Sequence, residues 1–89
     1  MTATTNTSEY NGWKNRQTWN VALWIGNEEW LYREAVAYMQ RRASKGRTGT
    51  YMGFIRTAGL AGNRTPDNIA WDGTRLCLRE LNEMMKELA

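Results

Sequence analysis

The sequence has no histidine, one cysteine and one proline among its 89 residues. Without histidine the chain lacks the commonest general base, the commonest metal ligand and every imidazole-based triad. Cys77 has no second cysteine to pair with, and alone it cannot build a structural zinc site of the usual kind. A thiolate nucleophile at Cys77 would lack its activating base, so the residue reads as a small, inert, buried thiol. Long apolar runs are missing too. None is longer than Val21–Ile25, against about 20 residues needed to cross a bilayer. The opening MTATTNTSEY has neither the basic start nor the apolar stretch of a secretory leader. These absences point to a cytoplasmic protein in a reducing setting. They also point away from an enzyme: no catalytic residue, cofactor or metal site can be nominated.

What the chain does have is aromatic and thioether bulk. Five tryptophans, four tyrosines and five methionines supply large apolar area to a domain too small to waste any. Burial of each such side chain contributes roughly 1.5–3 kcal/mol, enough to offset chain entropy without disulfides or metal. The length fits one domain. Residues 1–11, rich in Thr, Asn and Ser, read as a disordered tail, and residues 12–89 as a single all-α domain of about four short helices.

The helical signals follow in order. Asn15 suits an N-cap, Trp19, Ala22 and Leu23 follow, and Gly26 closes a first helix whose Trp19 and Leu23 face the core. Asn27 is placed to cap a second helix, with Glu28 and Glu29 in its first turn, where the dipole favours acids. Leu31, Ala35, Tyr38 and Met39 share one face, and Arg41 and Arg42 occupy the last turn. A third helix spans about Thr50 to Ala58, with Gly59 at the left-handed position beyond it. Residues 61–73 form a loop marked by Thr65-Pro66-Asp67 and Asp72-Gly73, where Ile69 and Trp71 are either a short extended segment or two anchors to the core. Thr74 is the expected cap of a last helix carrying Leu78, Leu81, Met85 and Leu88.

Charge is uneven. The net charge is +3, yet residues 41–64 hold Arg41, Arg42, Lys45, Arg47, Arg56 and Arg64 with no acid among them. Such a footprint suits phosphates or an acidic protein face. The plainer alternative is a solvated loop joined to favourable helix C-terminal charges. Glu80, Glu83 and Glu87 alternate with Arg79 and Lys86 and read as a solvated helix face, while Asp67 and Asp72 read as turn and capping residues.

The stretch Trp13-Lys-Asn-Arg-Gln-Thr-Trp-Asn-Val-Ala-Leu-Trp-Ile-Gly-Asn-Glu-Glu-Trp-Leu-Tyr32 resembles a group of short uncharacterised proteins from bacteriophages, plasmids, bacteria and archaea. Their shared pattern is close to WKNxxTWNVALWxxNxxxLY. The segment Thr65-Pro-Asp-Asn-Ile-Ala-Trp71 and the closing helix are similar to the end of those proteins. Where many of them read Asp-Glu-Gly-Leu-Tyr, this chain reads Glu28-Glu-Trp-Leu-Tyr32, which marks Trp30 as a contact residue. The resemblance carries no known activity. It implies a mobile-element accessory protein, and proteins of that origin often bind and block a host machine such as a CRISPR complex. The expected partner surface is Trp30 with Arg41, Arg42, Lys45, Arg47, Arg56 and Arg64. A small nucleic-acid-binding regulator using the same basic residues is the alternative, and a homodimer through Trp30 stays open.

Overall fold

The computed structural model describes residues 12–88. Among them the helices are α1 (Arg16–Asn27), α2 (Glu29–Ser44), α3 (Tyr51–Thr57) and α4 (Leu78–Leu88). The all-α class and the number of helices are as expected from the periodicity. The tail expected at residues 1–11 lies outside the described residues. α1 packs on α2 and α4, and α4 also reaches α2 and α3. No helix is long and apolar enough to cross a membrane among the described residues. The stretch from Ala58 to Cys77 carries no helix. It folds back on itself through an isolated antiparallel bridge between Arg64 and Ala70.

Asn15 caps α1 as expected: its Oδ1 accepts from the Thr18 N–H at 2.8 Å. The face α1 buries is Thr18, Val21, Ala22 and Ile25, spaced i, i+3, i+4 and i+7. Trp19 sits about 105° and Leu23 about 145° round the helix from that face, and Leu23 is 36% exposed. The expectation that this pair faces the core is therefore corrected. So is the expected stop at Gly26. The Glu28 N–H still reaches the Trp24 carbonyl at 2.9 Å, so α1 runs through Asn27. Glu28 alone, at φ −92° and ψ 116°, turns the chain into α2, and Asn27 caps nothing.

Leu31, Ala35, Tyr38 and Met39 of α2 are all buried, as their spacing requires. Thr50 caps α3, its hydroxyl accepting from the Gly53 N–H, and Gly59 takes the left-handed conformation at φ +78°. Gly49 is buried between helices. A Cβ placed on it would lie 2.6 Å from both Met39 Sδ and Tyr38 Cε2. Gly49→Ala is expected to destabilise the fold by about 1–3 kcal/mol through overpacking, measurable as a lower urea midpoint at unchanged slope.

Trp71 is an anchor and not part of a strand: it is 3% exposed and belongs to the core with Leu76, Leu81 and Met85. Tyr51 lies fully buried beside it and donates its hydroxyl to the Trp71 carbonyl at 2.6 Å. Burial, reinforced by the charge of Asp72, pushes the Tyr51 phenol well above its ordinary pKa. Above about pH 10 the unfolded chain releases a proton that folded Tyr51 retains, so stability falls as pH rises. Unfolding free energies from urea titrations are expected to drop between about pH 9 and 11, with a limiting slope of about 1.4 kcal/mol per pH unit from this group. In Tyr51→Phe that component of the slope should vanish.

α4 begins at Leu78, four residues after the expected cap Thr74. The physical reason lies in α1. The Cys77 N–H donates to Thr18 Oγ1 at 2.9 Å, and the Arg75 carbonyl accepts from Asn15 Nδ2 at 2.8 Å. These side-chain bonds hold residues 75–77 against α1 before the helical ladder starts.

Candidate functional site

Asn15 and Thr18 bond each other at the start of α1, whereas the polar groups of Asn20 and Trp24 bond across the molecule. Asn20, 1% exposed, donates through Nδ2 to Asp67 Oδ2 at 2.7 Å. Its Oδ1 accepts from the Thr65 hydroxyl at 2.8 Å. Thr65 Oγ1 in turn accepts from the N–H groups of Asp67 and Ile69 at 3.2 Å each. One turn beyond Asn20, the Trp24 indole N–H donates to the same Asp67 Oδ2 at 3.0 Å. Bonds from the Asn20 amide, then from the Trp24 indole, hold the Asp67 carboxyl below its ordinary pKa, and Arg16 adds to the effect. The i, i+4 pair Asn20 and Trp24 thus grips the middle of the 58–77 segment, and Asn15 with Thr18 grips its C-terminal end.

That grip shapes a groove of about 350 Å³ where α1 ends and α2 begins. Buried Leu31 and Trp71 form its floor, Trp24, Leu60 and Pro66 line it, and Trp30 stands over it 52% exposed. Glu28, Asn63 and Arg64 supply its polar groups. The Arg64 guanidinium is steadied by its bond to the Asn68 carbonyl at 3.1 Å. Asn68 takes the left-handed φ of +68° that turns the loop back beneath it. The groove therefore combines a large apolar area, indole rings and one charge of each sign.

The structure divides the residues expected to form one partner surface. Arg64 and Trp30 meet at the groove. Arg41 and Arg42 lie in the last turn of α2, and Lys45 and Arg47 in the turn that follows it. At 1.5 Å per residue, Arg41 is on the order of 16 Å along the helix from Trp30. Arg56 is exposed in the last turn of α3. Of the carboxylates, Asp72 accepts from the Gly62 N–H as a turn residue, and Glu83 pairs with Lys86 at 3.6 Å. Glu80 has a further task, accepting from the Lys14 N–H at 2.8 Å. Cys77 is free and half-buried. Among the described residues no three His, Cys, Asp or Glu side chains gather as a metal site.

A family model, described only as a family of unknown function, matches residues 6–89. The chain belongs to this family, DUF7249. No curated protein and no solved structure matches it. Within this DUF7249 chain, the groove residues that sequence reasoning missed are Trp24, Glu28, Leu60, Asn63 and Pro66. Only one signal pointed to them. It is the turn sequence Thr65-Pro66-Asp67, which marks a loop leading to Trp71.

Proposed function

We propose that this DUF7249 chain is a non-enzymatic binding protein that holds a protein partner in the Trp24–Trp30–Trp71 groove. It acts in the bacterial cytoplasm for a phage or other mobile element, inhibiting or modulating a host complex that handles nucleic acid, a CRISPR assembly among the candidates. The origin rests on the sequence resemblance. The binding mode rests on one observation: Trp30 is half-exposed over a groove whose other indoles are fixed, Trp24 by Asp67 and Trp71 by the core. A tryptophan at the lip of a preformed apolar groove beside an arginine is the composition of an interface hot spot.

The test is affinity capture from a bacterial host after nuclease treatment, comparing wild type with Trp30→Ala and Arg64→Glu. A defined protein complex should be retained by wild type and lost with Trp30→Ala. Capture that vanishes with nuclease, or that ignores both substitutions, overturns the reading. A Trp30-dependent dimer of the purified chain in sedimentation would seat a second copy in the groove and overturn it as well.

A further inference from the structure

The end of α2 remote from the groove forms a second contact surface, and we infer that Arg41, Arg42, Lys45 and Arg47 bind the phosphate backbone of duplex nucleic acid without regard to sequence. This surface is separate from the groove and goes beyond the proposed protein partner.

Four cations gather there within one helical turn and the reversal after it. Arg41 and Lys45 are i, i+4 neighbours on one face of the helix end, with Arg42 beside them. Gly46, at φ +73°, reverses the chain, and the Arg47 N–H returns to the Arg42 carbonyl at 2.9 Å. The segment from residue 35 to 66 contains no carboxylate. The ion pairs among the described residues are Glu29–Arg33 and Glu83–Lys86, so none of the four cations is neutralised within the fold. Arg41, Lys45 and Arg47 are exposed and Arg42 is half-buried beside them, its Nε shielded from water, so the three exposed side chains lead the contact. The helix dipole accounts for cations at Arg41 and Arg42, in the last turn, but not for Lys45 and Arg47 beyond it.

The same end explains the choice of duplex. The exposed large apolar residues are Leu23, Trp30, Tyr32 and Leu78, none of them in the 41–50 stretch. Without a ring to stack on bases, single strands gain little there, and only the denser charge of a duplex matches the cluster. Phosphate contacts position a protein but read no sequence.

Fluorescence anisotropy of the full chain with two short labelled duplexes of unrelated sequence tests the inference. Three to four phosphate contacts give a log–log salt slope of about −2.7 to −3.6, a loss of about 40- to 150-fold between about 50 and 200 mM salt. Both duplexes should bind alike and a single strand more weakly. Arg41→Glu with Arg47→Glu should lower duplex affinity at least about tenfold at the lower salt while the melting temperature holds. Trp30→Ala should leave duplex binding unchanged, so failure here and failure of the groove reading are told apart. A slope shallower than about −1, equal binding of the single strand, or polyglutamate competing as well as duplex would overturn the inference, the last in favour of an acidic protein face.

Discussion

Asn20→Leu is expected to destabilise the protein by about 2–3 kcal/mol, because it leaves the buried Thr65 hydroxyl without its acceptor and removes one of the two bonds that hold the exposed Asp67 carboxylate. For a domain of this size that corresponds to a fall in melting temperature of roughly 10–25 °C. The side chain is almost isosteric, so the loss reads hydrogen bonding and not packing. Asn20 is 1% exposed and makes both of its bonds across more than forty residues of sequence. Hydrogen exchange should show amides of the 61–77 stretch opening before those of α2. Asn20→Asp sharpens the test. It sets a second carboxylate against Asp67 Oδ2, so part of its loss at neutral pH should return in acid, where the pair shares a proton. A change below about 1 kcal/mol in Asn20→Leu would mean that the loop is held elsewhere.

Trp30→Ala is expected to do the opposite: cost the partner and spare the fold. A residue 52% exposed at a helix start should change stability by no more than about 1 kcal/mol. As the anchor of an interface its loss should weaken the partner by about 2 kcal/mol or more, roughly 30-fold in Kd. Calorimetric titration of the captured partner, run beside thermal unfolding of the same variant, separates the two quantities. Trp71→Ala is the contrasting control. At 3% exposure in the core it should cost about 3–5 kcal/mol of stability, so its binding defect would carry no site-specific meaning. Equal affinity in wild type and Trp30→Ala would remove the groove from the functional account.

How much of this was legible differs from element to element. Leu31, Ala35, Tyr38 and Met39 announced the buried face of α2, because helical period and burial are both local properties of the pattern. Asn15 and Gly59 announced their caps for the same reason: a cap closes within three or four residues. The beginning of α4 was not legible. Thr74 is a sound cap by composition, but the backbone of residues 75–77 is engaged by Asn15 and Thr18, some sixty positions earlier. Nor was the α1–α2 corner, where Gly26 keeps its helical conformation and Glu28 alone makes the turn.

The absence of histidine and of a second cysteine, the excess of tryptophan, the helical periods and the acid-free run around residues 41–64 are properties of composition and spacing, and the sequence by itself determined them. The tertiary structure decided which tryptophan faces outward, that Arg64 joins Trp30 while Arg41 to Arg47 stand apart, and that Asn20 and Trp24 converge on one carboxylate. Those outcomes depend on where a twenty-residue segment without helix is laid across α1. Its position is set by hydrogen bonds between residues far apart in the chain, which no local pattern records.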